Sequence, residues 1–148
     1  MDSSAPAFLA GAALAEIHHL YALQSHLIDG GHAAEWATTF TADGTFDSPT
    51  YPEPVAGAGA LTAFAERFAA GCAADGVVRR HVVSNVAVTG GDGEGAVRVT
   101  AYLQIVATPP GGSPRIERFT TLSDRVVRDG DGWRVAARTV RRDDAPGA

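Results

Sequence analysis

The chain has no lysine. All 12 of its basic residues are arginine, set against 17 acidic residues for a formal charge of −5. Schiff-base chemistry on a lysine amine is therefore excluded. The acidic balance also argues against a nucleic-acid partner, whose phosphates demand clustered basic residues. Cys72 is the single cysteine, so no internal disulfide can form and a reducing cytoplasm is the expected location. It lies in Phe68-Ala69-Ala70-Gly71-Cys72-Ala73-Ala74 with no adjacent His or Asp to activate it, and reads as a packing residue. Long apolar runs are missing too. The stretch from Ala5 to Ala15 is followed at once by Glu16, His18 and His19, has no basic leader and is too short to cross a bilayer. No membrane partner or targeting segment is expected. Gly57-Ala58-Gly59 lacks the lysine of a phosphate loop, and there is no Gly-x-Ser-x-Gly elbow. No cofactor is implied.

With 148 residues, 45% of them apolar and 20% charged, the chain suits one globular domain. Its expected span is 7–143, with loose tails at 1–6 and 144–148. Leu14, Ile17, Leu20, Tyr21, Leu27 and Ile28 recur at three- and four-residue steps, predicting an amphipathic helix from about Phe8 to Ile28 that ends at Gly30-Gly31. A short helix from His32 to Thr38 carries Trp36, and a short strand follows at Thr45–Asp47. Pro49, Pro52 and Pro54 make a loop, and a further helix runs from about Ala60 to Ala74 with Leu61, Phe64, Ala65 and Phe68 inward. The second half is strand-like over 77–88, 95–108, 115–129 and 133–142, divided by turns at Thr89–Gly93, Thr108–Pro114 and Asp129–Gly132. This order predicts an α+β fold: a strongly bent antiparallel sheet, shaped as a cone-like half-barrel, with N-terminal helices enclosing a pocket. Val82, Val83, Val86 and Val88 put apolar groups on both faces of one strand. A homodimer through the outer sheet face is the expected cover.

Three stretches together resemble SnoaL-like proteins of the nuclear-transport-factor-2-like, cystatin-type α+β barrel superfamily. The first holds Tyr21, Asp29-Gly30-Gly31, Trp36, Phe40 and Asp43-Gly44-Thr45-Phe46. The second is Arg80-His81 with Asn85-Val86. The third is Asp124-Arg125, Asp129-Gly130, Gly132-Trp133-Arg134-Val135 and Arg138. The pattern is closest to scytalone-dehydratase-like and bile-acid-dehydratase-like members. There an Asp at the end of the first helix and a His on the first long strand form the catalytic pair, positions held here by Asp29 and His81. The chain departs from those enzymes at Gln24, where they place a tyrosine, and at Gln104, where they place a second acid. The ketosteroid-isomerase-like branch has its base near Asp47-Ser48 and an acid near Asp124.

On its own, an imidazole on an apolar strand reads as a satisfied core histidine, and Asp29 before Gly30-Gly31 as a turn residue. The family positions turn both into catalytic candidates. Asp29 adds a physical point, because a carboxylate at a helix C-terminus is opposed by the macrodipole. Period-two geometry puts His81, Val83, Asn85 and Ala87 on one strand face. A buried Arg138 needs a carboxylate or a ligand, and Asp124 is the candidate partner. Tyr102 and Gln104 are expected to line the pocket, and Tyr21, Trp36, Phe40 and Phe119 to form apolar wall or core. His18, His19, His26 and His32 show no ligand spacing, so no metal site is expected. The resulting expectation is a cofactor-free enzyme using His81 and Asp29 as a general acid–base pair. Its substrate is a small, apolar, oxygenated molecule (polyketide, steroid or aromatic), and its reaction a dehydration, isomerisation or cyclisation. The alternative is a non-catalytic binding or accessory subunit that uses the same pocket.

Overall fold

The chain's second half pairs back onto its beginning, so that the last strand lies at the centre of the sheet. A computed structural model describes residues 9–91 and 95–144. The expected tail at 1–6, all of the expected tail at 144–148 except Asp144, and the Asp92-Gly93 tip of the first predicted hairpin lie outside the described residues. Helices α1 (Gly11–Asp29), α2 (Ala33–Ala37) and α3 (Ala58–Asp75) accompany strands β1 (Phe40–Asp47), β2 (Val55–Ala56), β3 (Val78–Gly91), β4 (Ala96–Thr108), β5 (Arg115–Asp129) and β6 (Gly132–Arg142). The six strands run in the order β2-β1-β6-β5-β4-β3. β3 to β6 form the antiparallel meander, but β1 pairs parallel with β6. The four-strand meander is antiparallel as expected, and β1 adds one parallel pairing to it. β1 is also longer than expected. Asp43-Gly44 reads as a turn in sequence but here forms an irregular stretch of strand, with a register shift between Phe40 and Thr45. A Cβ at Gly44 would lie 2.8 Å from the Phe40 Cβ, so the close approach needs glycine.

On α1 the buried positions Ala13, Ile17, Leu20, Tyr21, Gln24 and Ile28 form a single stripe, and this stripe packs into the hollow of the sheet. Strand β3 bends through a bulge between Ser84 and Ala87, where Asn85 has φ 54°. Asn is among the few side chains that accept this conformation readily. The extra residue shifts the alternation. His81 and Val83 turn inward before the bulge, whereas Val86 and Val88 do so after it, with Asn85 and Ala87 exposed. The simple period-two face of His81, Val83, Asn85 and Ala87 is therefore broken at Asn85. Between α2, α3 and β1 sits an aromatic cluster, in which Trp36 meets Phe40 edge-on at 5.0 Å and stacks on Phe64 at 5.8 Å.

One polar node lies inside this core. Arg138 on β6 donates from Nε to both oxygens of Asp124 on β5 at 3.1 Å, and from Nη2 to Asp124 Oδ2 at 2.9 Å and to Gln24 Oε1 at 2.8 Å. The Tyr21 hydroxyl donates to Asp124 Oδ2 at 2.5 Å. Gln24 Nε2 donates to the Thr39 hydroxyl at 2.9 Å, which in turn donates to the Trp36 carbonyl. Burying two charges is tolerable only with this degree of mutual satisfaction. Asp124 therefore serves as the structural partner of Arg138, and two polar side chains of α1 are tied to β5 and β6.

Burial and then the negative charge of Asp124 push the Tyr21 hydroxyl well above its ordinary value, with Arg138 pulling the other way. The folded chain therefore holds this proton to higher pH than the unfolded chain does. Its contribution is complete below the unfolded value of about 10 and is lost as pH rises through the folded one. Tyr21→Phe is expected to cost about 1–2 kcal/mol at neutral pH and to flatten the alkaline fall in stability. Urea unfolding on either side of pH ~10 measures both; an unchanged midpoint and an unchanged alkaline slope would contradict the assignment.

Candidate active site

Asp29 closes α1 and faces β3, a strand at the edge of the sheet. An edge strand leaves alternate backbone groups without a neighbouring strand. At His81 the unpaired N–H donates instead to the Asp29 carboxylate, at 3.0 Å to Oδ2 and 3.2 Å to Oδ1. The imidazole of the same residue turns its Nδ1 to Asp29 Oδ1 at 2.7 Å. The Asp29 side chain is 8% exposed and that of His81 14%. These donors offset the macrodipole's opposition to a carboxylate at this helix end. With the carboxylate as acceptor, Nδ1 is the donor, so a neutral ring carries its proton there and keeps the lone pair on Nε2. Phe68 packs against the ring with centroids 4.7 Å apart. Nε2 has no protein partner among the described residues, and His81 forms part of a cavity wall.

That cavity, of about 190 Å³, opens between α3 and the sheet. Its sides are apolar, formed by Ile28, Trp36, Phe46, Phe64, Leu103 and Leu122 among others. Its inner end is polar: Gln24, Ser48, Thr120 and Arg138. Within the buried node, Nη1 is the one Arg138 nitrogen without a protein hydrogen bond among the described residues. Burial opposes the charge of Arg138 but is outweighed by Asp124 and Tyr21, so the guanidinium is held charged.

The expected site residues divide into three groups. Asp29 and His81 meet directly, and Trp36 and Arg138 join His81 on the cavity wall. Tyr21 and Phe40 do not reach that wall. Tyr21 is spent on Asp124, and Phe40 lies behind Trp36 with its ring 5.6 Å from the Arg138 guanidinium carbon. Tyr102, Gln104 and Phe119 are corrections, since none of them lines the cavity. On β4 it is Leu103 and Ile105 that turn inward, so their neighbours Tyr102 and Gln104 turn out. Tyr102 and Phe119 are 43% and 40% exposed and pack on each other at 6.0 Å on the outer face. Alternation in the sequence carries the period but not its phase, and the pocket takes the opposite phase to the expected one.

Gln24, Ser48, Thr120 and Phe68 also belong to the wall, although the sequence pattern does not mark them for it. Gln24 carries one detectable signal, as a polar residue seven positions after Ile17 on the apolar stripe of α1. Of the Asp47-Ser48 pair, Ser48 is buried in the wall while Asp47 is exposed. Among the described residues no three His, Cys, Asp or Glu side chains gather to hold a metal ion. No helix among them is long and apolar enough to cross a membrane.

The SnoaL-like domain family matches residues 12–139. Among solved structures, Aln2 from a Streptomyces species is 29% identical with a TM-score of 0.82, covering 95% of this chain and 96% of that one. A protein from Catenulispora acidiphila in complex with S-DNPA is 30% identical with a TM-score of 0.77, covering 91% and 96%. An NTF2-like protein with a cystatin-like fold from Novosphingobium aromaticivorans, 20% identical with a TM-score of 0.80 and covering 92% and 85%, shows the shared fold. No curated protein matches the chain. On a match that spans both halves of the Asp29–His81 pair and the Asp124–Arg138 node, the chain belongs to the SnoaL-like domain family.

Proposed function

We propose that this protein is a cofactor-free acid–base enzyme acting on a small apolar substrate that carries a carbonyl oxygen. The observation that carries the proposal is the 2.7 Å contact between Asp29 and His81 Nδ1, with Nε2 left open at the cavity wall. Asp29 holds the imidazole in one tautomer and one orientation; Nε2 is then the group that meets substrate. In the reaction considered, Nε2 removes a proton from the carbon next to the carbonyl. The electron pair moves onto the carbonyl oxygen as an enolate, and Arg138 Nη1 supplies a donor for the charge that develops there. Return of the pair expels a β-hydroxyl, which takes the proton back from the imidazolium and leaves as water. Where a neighbouring carbon–carbon double bond extends the enolate into a dienolate, return of the proton to its far carbon gives the conjugated isomer instead. The apolar walls exclude water from the enolate. The Catenulispora acidiphila protein, 30% identical, is in complex with S-DNPA, which supports a ligand-binding role for this chain.

A binding or accessory role rests on a different observation. Gln24 and Asp124 are both spent on Arg138 inside the buried node and Glu117 on Arg79, which thins the uncommitted proton-transfer groups on the wall to His81 and Tyr51 among the described residues. Saturable binding without turnover would select that role.

Turnover assayed across a panel of hydroxylated cyclic ketones separates the two. His81→Ala is expected to lower it by about 10²–10⁴-fold, and Asp29→Asn by about tenfold or more, with thermal unfolding showing the fold retained. Unaltered turnover in His81→Ala contradicts the mechanism. We further propose a homodimer through the outer sheet face, where Val78, Val82, Tyr102, Ile116 and Phe119 are exposed together. Sedimentation is expected to give twice the 15.3 kDa chain mass, and Val82→Glu to give the single-chain mass; a wild-type protein that sediments as one chain contradicts it.

A further inference from the structure

The arginines of the cavity wall are not all in the same electrical state. Arg138 is neutralised by Asp124 at the inner end. Arg79 on β3 reaches Asp75 of α3 at 2.7 Å and Glu117 of β5 at 3.2 Å. Two more guanidiniums, Arg67 and Arg118, border the same cavity, and neither makes a hydrogen bond or ion pair among the described residues. Arg67 is exposed and Arg118 half-buried, which puts them at the mouth. Asp144 feels the charge of Arg118 without forming an ion pair with it, and is itself clasped by Arg142. A protein of net charge −5 thus presents two arginines without an ion-pair partner among the described residues at the entrance to its apolar cavity.

The backbone is built to put them there. β5 is bulged against β4: Arg118 pairs with Ile105 and Ile116 with Val106, leaving Glu117 as the extra residue. Without a bulge, neighbours on a strand face opposite ways; with it, Glu117 and Arg118 both border the cavity. Arg79, by reaching both Asp75 and Glu117, brings the end of α3 and the start of β5 within the span of one guanidinium. Gly71, one turn after Arg67 on α3, lines the same mouth.

We infer that the ligand of this cavity carries a carboxylate, bound at the mouth by Arg67 and Arg118 while an apolar ring enters toward His81. The inference rests on the reading of the cavity as a ligand site and specifies the chemical class of what fills it. An enclosed cavity of ~150 Å³ accepts one benzene ring. The 190 Å³ here accommodates a ring of that size or slightly larger, and the open mouth lets a short side arm run out to the arginines. A carboxylate is the complementary end group, because a guanidinium offers it paired donors and full charge. The arrangement also orients the ligand: charged arm outward, oxygenated ring inward.

The test uses matched probes, phenylacetic acid and its uncharged primary amide, titrated calorimetrically into the wild-type chain and the variants R67Q, R118Q and R67Q/R118Q. The wild type is expected to bind the acid about tenfold more tightly than the amide, with added salt weakening only the acid. In the double variant the preference is expected to fall below about twofold with amide affinity unchanged, which also shows the cavity to be intact. Equal affinity of the wild type for acid and amide overturns the inference while leaving the ligand-site reading in place. So does an undiminished acid preference in the double variant. Failure of both probes to bind overturns the ligand-site reading and this inference with it.

Discussion

The carboxylate of Asp29 lies between the last turn of a helix and the free edge of a sheet, and it answers a need of each. The edge strand has a backbone N–H at His81 with no neighbouring strand to accept it, and the imidazole of that residue needs a partner on Nδ1. One side chain serves both, so α1 cannot shift along β3 without leaving a donor unmet. The same helix holds Tyr21 and Gln24 in the buried node with Asp124 and Arg138. Its position is thereby fixed at two points, one at the edge of the sheet and one near the centre. The space between those anchors is the cavity.

Polarity follows from this construction. Where the cavity is deepest, each charge is matched: Arg138 by Asp124, with Tyr21 and Gln24 completing the hydrogen bonds. Along the sides the wall is aromatic and aliphatic. Charge without a counterpart is confined to the mouth, where water screens it until a ligand arrives. The His81 imidazole lies on the wall between the paired inner end and the arginine-bordered mouth.

Much of the architecture is legible in the sequence because α1 and α3 have strong helical periodicity and the meander is punctuated by Gly/Asp and Pro/Gly turns. Asp29 and His81 are reached through the family resemblance, since neither residue alone distinguishes catalysis from packing. What escapes detection is mostly phase and register. Tyr102 and Gln104 alternate as strand residues should, but nothing in their spacing says which face meets the helices. The bulges at Asn85 and at Glu117 are invisible to a period-two count, and each re-aims the residues beside it. The parallel pairing of β1 with β6 joins segments more than 90 residues apart, where no local signal exists. Trp36 and Arg138 are found for a plainer reason: a large ring and a mid-strand guanidinium both must find partners in the interior, and the interior here includes the cavity wall.

The central claim is that Asp29 sets the tautomer of His81, leaving Nε2 as the nitrogen able to accept a proton from substrate. Long-range proton–nitrogen NMR correlation of the imidazoles reads this directly, with His81 assigned among the five histidines by its disappearance in His81→Gln. The account predicts a protonated Nδ1 and an unprotonated Nε2 in the neutral ring, with that pattern lost in Asp29→Asn. A proton found on Nε2 of the neutral ring in the wild-type protein would contradict it.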